Sequence, residues 1–258
     1  MKKTYWTGVT GLVLFFCVCG LVLGDSVYVV REDGRRVDGL SVTANEAGEI
    51  LLRVERGVLT FPKGTRVVMP RPRELDQAIQ LMQQQRFPQA IDILERVVKD
   101  NRFLGWDLEG KKLLARAQTG AGRMEAAVSV YERLFAADPG AREDAEDLLR
   151  YLQSVAEVGP QDKFAALLDE AIRRGPRMVA AWAQLQRGTL AFERGDMESA
   201  ILDFKRTADF FVDQDRYQPE ALFRTAQSLS RLQDERSAEY HSALRERYPT
   251  SPFAVKPL

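Results

Sequence analysis

The sequence is poor in the residues from which catalytic triads and metal sites are commonly built. Of its 258 residues, two are cysteine and one is histidine. Cys17 and Cys19 both lie in an apolar N-terminal stretch, and His241 stands alone near the end of the chain. A metal site with several histidines is therefore excluded, and a histidine-dependent triad is not expected, because His241 lies in the middle of a predicted helix beside Tyr240. If the N-terminal stretch is removed, no disulfide, thiol nucleophile or cysteine-bound metal is left.

Other motifs of catalysis and cofactor binding are missing as well. Gly120-Ala121-Gly122 falls in a predicted helical hairpin turn and does not follow a strand, so it is no phosphate-binding loop. The segment around Asp213 and Asp215 lacks the glycine and the terminal glutamate of a calcium loop. Acidic side chains are plentiful, but the solvated faces of helices carry them routinely. We therefore expect no enzymatic activity, no cofactor and no metal.

An excess of charge of one sign is also missing. The chain has 37 Lys and Arg residues and 37 Asp and Glu residues, so its formal net charge at pH 7 is zero. Proteins that bind nucleic acid usually carry a basic surface. The balance indicates that nucleic acid is not the partner.

The first 24 residues have the layout of an export signal. Two lysines precede an uninterrupted apolar stretch over residues 8–23, and polar, turn-rich sequence follows. Val22 and Gly24 are small enough for the positions three and one before a cleavage site. We therefore predict a signal peptide over residues 1–24. The alternative is an uncleaved anchor, because the stretch is close to the roughly 18 to 20 apolar residues that span a bilayer; only then would the protein contact a membrane.

Residues 25–72 alternate short runs of β-branched residues with turn residues. This pattern predicts about five antiparallel strands in a small β domain, arranged as a meander or closed as an SH3-like barrel. Pro70 and Pro72 end the pattern, because proline cannot donate a hydrogen bond to a strand ladder. We place the domain boundary there, with a helical domain over residues 73–258.

Similar phrases recur at nearly even intervals in the second part of the chain. They centre on Ala90, Ala127, Ala200 and Ala238, which are 37, 73 and 38 residues apart. Since 73 is close to twice 37, a divergent copy is expected in the wide interval, where Phe164 takes the place of the small residue. A period of this length predicts stacked helical hairpins, an α-solenoid.

Turn residues divide this region into five hairpins. The predicted helix pairs are 74–85 with 88–99, 108–120 with 124–137, 142–158 with 162–174, 178–194 with 197–211, and 219–232 with 234–248. The fold class is therefore mainly α.

These hairpins resemble the tetratricopeptide repeat (TPR) family. The family pattern has a small residue in the first helix, an alanine twelve positions later where the two helices touch, and an aromatic residue four positions further on. Ala115, Ala127 and Tyr131 fit it well. The other matches are Ala78 with Ala90, Gly188 with Ala200 and Phe204, and Ala226 with Ala238. The third hairpin, residues 142–176, departs from the pattern, and its register stays open.

The resemblance implies a concave face that is lined by the first helix of each hairpin and binds a protein segment. Carrying the inward-facing positions of the family onto this sequence selects Lys112, Arg116, Trp182, Thr189, Phe192, Phe223, Gln227 and Arg231. Aromatic and arginine side chains dominate the energetics of protein interfaces. The aromatic residues can equally pack between adjacent hairpins, so both roles stay open.

The end of the chain, residues 244–254, is similar to the repeat ends of bacterial envelope proteins. With the predicted signal peptide, this similarity implies an exported protein of the periplasm or cell envelope. We expect a non-enzymatic scaffold or adaptor whose concave face holds an extended peptide or a helix of another protein. Two alternatives are a self-assembling structural protein that forms homo-oligomers, and a cell-wall-binding module that acts through the β domain.

Overall fold

A computed structural model describes residues 26–258 of the chain. In this part six strands precede ten α-helices, and one 3-10 helix precedes the fifth α-helix. The predicted signal peptide lies outside the described residues. Between residues 26 and 258, no helix combines the length and the apolar character that crossing a bilayer requires.

The strands form two small antiparallel sheets. They are β1 (Val27–Val30), β2 (Arg36–Gly39), β3 (Ser41–Ala44), β4 (Ile50–Val54), β5 (Gly57–Phe61) and β6 (Arg66–Val68). One sheet has the order β2-β1-β6 and the other has the order β3-β4-β5. Because β2 continues into β3, the two sheets share one bent strand in an SH3-like arrangement. The predicted small antiparallel β domain is confirmed, with six strands where about five were expected.

Gly39 makes the bend between β2 and β3 sterically feasible. A Cβ atom at this position would lie 2.9 Å from the carbonyl oxygen of Arg53, too close for any other residue type without a shift. Pairing with β4 resumes immediately after the bend, since the Leu40 N–H donates to that same carbonyl at 2.7 Å.

The ten helices form five hairpins, which confirms the predicted α-solenoid. They are α1 (Arg73–Gln83), α2 (Phe87–Asp100), α3 (Trp106–Gly120), α4 (Met124–Ala137), α5 (Ala145–Val158), α6 (Gln161–Arg174), α7 (Arg177–Glu193), α8 (Met197–Phe210), α9 (Gln218–Arg231) and α10 (Ser237–Arg247). Each helix packs on the next along the chain, and α3 also contacts α1 and α5, while α5 contacts α7. The first helices of these hairpins therefore form a row.

Small buried residues let the two helices of a hairpin approach each other. The alanines at the predicted contact positions are fully buried: Ala78, Ala90, Ala115, Ala127, Ala200 and Ala226. At Gly188 even alanine is too large, because a Cβ atom would lie 2.7 Å from the ring of Phe204, which is itself fully buried.

In the fifth hairpin the predicted contact residue is wrong by one position. Ala238 is exposed, and Ser237 is buried in its place. The Ser237 hydroxyl donates to the carbonyl of Ala226 at 2.9 Å. This hydrogen bond satisfies the hydroxyl, so serine can serve at the helix contact where the other hairpins use alanine or glycine.

The third hairpin differs from the other four. A 3-10 helix over Pro139–Glu143 delays the start of α5 to Ala145, three residues later than predicted. Phe164 is buried on α6, with its ring centroid 6.3 Å from that of Trp182 in an edge-to-face arrangement. Because a bulky ring takes the place of the small residue, α5 and α6 touch over a shorter length than the helices of the other hairpins. An apolar pocket of about 330 Å³ opens between them.

The loop between α2 and α3 joins the β domain to the first hairpins. Leu104 is buried in the β-domain core together with Leu52. Phe103, which precedes it, has a φ of 67°. At the same contact the indole N–H of Trp106 donates to the carbonyl of Met69 at 3.4 Å. The β domain therefore shares its core with the helical part, a contact that the sequence pattern did not indicate.

We expect Leu104→Ala to loosen the β domain. Truncation of a buried leucine removes apolar contacts, leaves a cavity and typically costs about 2 to 5 kcal/mol. Amide hydrogen exchange over residues 27–68 should accelerate, while exchange in α7 to α10 should stay as in the wild type. Leu232→Ala, the same truncation at an exposed site, is the control. Unchanged exchange in the Leu104 variant would show that the loop does not hold the β domain.

Gly188→Ala should destabilise the fourth hairpin even though alanine is the better helix former by about 1 kcal/mol. The new methyl group would overlap the buried Phe204 ring, and overpacking typically costs about 1 to 3 kcal/mol. Urea denaturation measures the difference, with Gln186→Ala on the same helix as control. A more stable Gly188 variant would mean that the helices do not meet at this residue.

Candidate partner-binding face

The eight predicted partner-binding residues lie on three first helices. Lys112 and Arg116 are on α3; Trp182, Thr189 and Phe192 are on α7; Phe223, Gln227 and Arg231 are on α9. The structure brings them together only in part. It gives them three different environments, which are an ion cluster, two buried ring contacts and a half-buried group of side chains around the exposed Arg231.

On α3 the two cations are bound to acids at the start of the third hairpin. Arg116 forms a two-pronged pair with Asp147, with Nε 2.5 Å from Oδ1 and Nη2 2.9 Å from Oδ2. Lys112 Nζ lies 2.5 Å from Oδ2 of Asp144 and 3.3 Å from Oδ2 of Asp147. The Asp147 side chain is only 1% exposed, and the hydroxyl of Tyr131 donates to it at 3.4 Å. We call Lys112, Arg116, Asp144 and Asp147 the ion cluster.

Hydrogen bonds in the ion cluster shift the pKa values of Lys112, Arg116 and Asp144 in favour of their charged forms. The hydrogen bond from Lys112 lowers the pKa of Asp144 below its usual 3.8, and the same bond raises the pKa of Lys112. The hydrogen bond to Asp147 raises the pKa of Arg116. Burial raises the pKa of Tyr131, which therefore stays a neutral hydrogen-bond donor.

Lys112 and Arg116 are thus engaged within the chain, and their assignment to the partner surface stays a prediction. Their charged ends neutralise two carboxylates of this chain, one of which is buried. A buried carboxylate that lost its partners would be strongly destabilising. We conclude that these two cations connect α3 to α5, next to the hairpin that lacks small-residue packing.

Trp182 and Phe223 are buried against other aromatic side chains of the chain. Trp182 is 8% exposed and packs against Phe164 of the preceding hairpin. Phe223 is 4% exposed, and its ring centroid lies 5.6 Å from that of Phe253 in the C-terminal tail. Of the two roles that the sequence left open for these rings, packing between neighbouring elements applies.

The remaining residues form a half-buried group where α7 meets α9, of which Arg231 is exposed. The guanidinium carbon of Arg231 lies 4.1 Å from the ring centroid of Phe192, and that of Arg224 lies 5.8 Å from the same ring. Arg224 donates to Oε1 of Gln227 at 3.2 Å. We call Phe192, Arg224, Gln227 and Arg231 the α7–α9 cluster. Thr189 lies nearby on α7, but its hydroxyl donates to the carbonyl of Leu185 in its own helix.

The α7–α9 cluster carries positive charge without internal compensation at Arg231. Within residues 26–258 no carboxylate lies within 4.0 Å of its guanidinium, and the side chain is exposed. Arg224 has Glu220 as a neighbour, with Nε 3.6 Å from Oε1, yet this Nε is buried without a hydrogen-bond partner. The exposed Arg231 can therefore accept an anionic group beside an aromatic surface.

Sequence reasoning missed Arg224, although a signal for it existed. Arg224, Gln227 and Arg231 are spaced at i, i+3 and i+7, so they lie on one face of α9. The family positions that we carried over include the second and third of these residues and omit the first.

Comparison with known families agrees with this architecture. Residues 75–142 and residues 220–251 each match a model of the tetratricopeptide repeat. Two segments of the helical part therefore match the TPR family, and its stacked hairpins form a TPR-like fold. The segment between the two matches contains the third hairpin, whose Phe164 departs from the TPR pattern.

Solved structures with similar folds include TPR proteins. MamA superposes with a TM-score of 0.55 at 15% identity, covering 72% of this chain and 95% of MamA. For the quorum sensor NprR from B. thuringiensis the TM-score is 0.54 at 12% sequence identity, and the match covers 69% of this chain and 54% of NprR. YrrB is described as a TPR protein with an unusual peptide-binding site. Its TM-score is 0.51 at 12% sequence identity, and the match covers 70% of this chain and 88% of YrrB. At these identities the similarity shows the fold alone. No curated protein sequence matches the chain.

We expect Asp144→Asn to weaken the ion cluster while the start of α5 stays capped. Oδ1 of Asp144 accepts from the N–H groups of Glu146 and Asp147, each at 3.1 Å, and asparagine caps helices as well as aspartate does. Loss of the charge should lower the free energy of unfolding by about 1 kcal/mol at neutral pH.

The effect of this substitution should depend on pH in a defined direction. The pKa of Asp144 is lowered in the folded state, so its charge stabilises the fold above the unfolded pKa of 3.8 and the contribution is lost as the pH falls through the folded pKa. The stability difference from the wild type should be constant between about pH 7 and 5 and should shrink below about pH 4. Asp92→Asn, at an exposed acid of α2, is the control. A difference that does not change with pH would refute the ion cluster.

Proposed function

We propose that this protein is a scaffold that holds a segment of another protein against the α7–α9 cluster. The TPR fold of the helical part supports a role in protein–protein interaction. The location of the contact is supported by the contrast between the two ends of the row of first helices. The cations of α3 are neutralised within the chain, whereas Arg231 of α9 has no acid partner in the described residues.

The observation that carries this proposal is the stacking of Arg231 over Phe192 at 4.1 Å. Because the guanidinium already rests on the ring, less side-chain entropy is lost when a ligand arrives than for a freely moving arginine. A carboxylate of the bound segment would accept hydrogen bonds from Arg231, and Gln227 offers a polar contact beside it. An apolar side chain next to that carboxylate would cover the exposed part of the Phe192 ring.

The expected ligand is therefore a protein segment with an acidic group next to an apolar residue. Charge-assisted hydrogen bonds of this kind are about twice as strong as neutral ones. The predicted signal peptide and the resemblance of residues 244–254 to envelope proteins support a location outside the cytoplasm, in the periplasm or cell envelope of a bacterium. The cell-wall-binding alternative rests on the presence of a β domain alone and stays a prediction.

Arg231→Glu should abolish capture of the partner without affecting the fold. The reversed charge would repel the acidic group, and we expect capture to fall at least about tenfold, equivalent to about 1.4 kcal/mol. The measurement is chemical crosslinking of the full-length chain in its native cells, followed by identification of the attached protein. Arg133→Glu is the matched control, because Arg133 is exposed on α4 and its Nε bonds only to a carbonyl of its own helix.

The outcomes of this experiment are distinct. A protein captured by the wild type and by the Arg133 variant, and lost with Arg231→Glu, would support the α7–α9 cluster as the binding site. Equal capture by all three would refute that site. Crosslinks formed only between copies of this chain would refute the scaffold function.

A further inference from the structure

A groove with a volume of about 660 Å³ lies between the first and second hairpins. Helices α2, α3 and α4 form its walls, and four apolar residues contribute to its lining: Val98, Leu114, Ala126 and Val130. The volume falls within the range of about 300 to 1,000 Å³ that is typical of sites for small molecules. The groove shares no residue with the α7–α9 cluster.

The groove has an excess of positive charge. Four cations and one acid line it: Lys99, Arg102, Lys111, Arg133 and Glu95. Nζ of Lys111 lies 2.7 Å from Oδ2 of Asp107, so this cation is neutralised within the chain. Between residues 26 and 258, no carboxylate oxygen comes within 4.0 Å of the charged ends of the other three cations. Four positive charges therefore meet two negative ones, and the net formal charge is about +2.

The corresponding groove between the third and fourth hairpins is electrically balanced. It is formed by α6, α7 and α8, and its charged residues are three arginines and three aspartates: Arg187, Arg194, Arg206, Asp169, Asp196 and Asp203. The guanidinium of Arg187 lies 2.7 Å from a carboxylate oxygen of Asp169 and 2.7 Å from one of Asp203. The excess of cations is therefore a property of the first groove and does not follow from the stacking of hairpins as such.

Three of the cations lie at the end of the groove where α2 gives way to α3. Lys99 is in the last turn of α2, Arg102 follows that helix, and Lys111 is in the second turn of α3. The two helices pass closely beside them, since a Cβ atom at Gly110 would lie 3.0 Å from Cγ2 of Val98. The positive charge is therefore concentrated at this end.

Gln118 lines the same groove further along α3 and has an unsatisfied amide. The residue is 5% exposed, and its Oε1 is buried without a hydrogen-bond partner among the described residues. A buried polar group without a partner is destabilising, and an amide can turn to present either its oxygen or its NH2 group. Gln118 follows Lys111 by seven residues, so about 10 Å separate them along the helix. A ligand of this length would supply the missing partner.

We propose that this groove binds a small phosphorylated molecule. Its phosphate lies among Lys99, Arg102 and Arg133, its body crosses the apolar lining at Leu114, and a polar group at its far end pairs with the amide of Gln118. A phosphate monoester carries a charge of about −1.5 to −2 at pH 7, which matches the net charge of the groove. A single carboxylate would leave part of that charge uncompensated.

The surroundings of the groove favour a small soluble molecule over the surface of a membrane. Exposed residues of α2 next to the groove include Asp92, Arg96 and Asp100, so the outer face of this helix is not basic. Binding to an anionic membrane depends on a cluster of basic residues at the surface. Here the uncompensated cations surround a concave site.

Isothermal titration calorimetry of the full-length chain in a nonionic detergent tests this site. The probe is phenyl phosphate, and phenol is the matched compound without a phosphate. We expect phenyl phosphate to bind with a Kd of about 1 mM or lower and phenol not to bind. The double variant Lys99→Gln, Arg102→Gln should raise the Kd at least about tenfold, because two charge-assisted hydrogen bonds are lost. Arg96→Gln is the control, since Arg96 is exposed on the same helix and lies outside the groove.

Several results would overturn the proposal. They are the absence of binding at about 10 mM phenyl phosphate, equal binding of phenol, and an equal loss of affinity in the Arg96 variant and the double variant. Vesicles that contain phosphatidic acid supply phosphate from the other source. A chain that binds these vesicles through Lys99 and Arg102 but binds no soluble phosphate would show that the site recognises a membrane surface.

A second probe tests the role of Gln118. 4-Hydroxyphenyl phosphate should bind about three- to tenfold more tightly than phenyl phosphate, because its hydroxyl group can pair with the amide. Gln118→Leu should remove this difference and leave the Kd of phenyl phosphate unchanged. The fold should tolerate leucine, since an unsatisfied buried amide is replaced by an apolar side chain of similar size. A difference that persists in the variant would show that the ligand does not reach Gln118.

The groove and the α7–α9 cluster can be tested separately. Arg231→Glu should lose capture of the protein partner and bind phenyl phosphate like the wild type. Arg133→Glu should keep that capture, because Arg133 is remote from the α7–α9 cluster, and should weaken phenyl phosphate binding at least about tenfold. Phenyl phosphate binding that is unchanged in Arg133→Glu would contradict the proposed set of cations.

Discussion

The close approach of helices at small residues is the constraint on which the rest of this structure depends. Where alanine or glycine occupies the contact, the two helices of a hairpin pack directly, and successive hairpins stack so that their first helices form a row. Phe164 breaks this rule in the third hairpin, and α5 and α6 separate around a pocket. The ion cluster lies at the start of the same hairpin, where Asp147 receives hydrogen bonds from Arg116 and Tyr131. Charge pairing therefore supplements close packing at the point where close packing is weakest.

This arrangement has a functional consequence, because it divides one row of helices into two electrostatic environments. Arg116 and Arg231 both follow from the same inward-facing rule, yet one is bound to a buried carboxylate and the other stacks on an aromatic ring without an acid partner. A cation that is already neutralised gains little from a ligand, whereas an uncompensated one attracts a negative group. This contrast supports the proposed partner surface at the C-terminal hairpins.

Structural features that repeat along the chain could be predicted from the sequence, whereas contacts that occur only once could not. The period, the alanines at the helix contacts and Gly188 predicted the hairpins, since helix packing recurs with the same geometry in each. The ion cluster depends on which acids α5 presents to α3, and that depends on the 3-10 helix that delays the start of α5. Insertion of Leu104 into the β domain joins residues that are far apart in the chain, and a periodic pattern carries no information about such a contact. Ser237 was missed because its hydroxyl is compatible with the helix contact only through its hydrogen bond to Ala226.

The central claim is that two arginines chosen by the same rule have opposite roles, and one measurement compares them directly. Chemical denaturation of Arg116→Ala and Arg231→Ala, each against the wild type, gives the contribution of each side chain to the free energy of unfolding. The account predicts that Arg116→Ala lowers the free energy of unfolding by about 2 kcal/mol or more, because the buried Asp147 carboxylate loses the two hydrogen bonds from Arg116. It predicts a loss of no more than about 1 kcal/mol for Arg231→Ala, the value of an exposed cation–π contact. Equal losses, or a larger loss for Arg231→Ala, would contradict it.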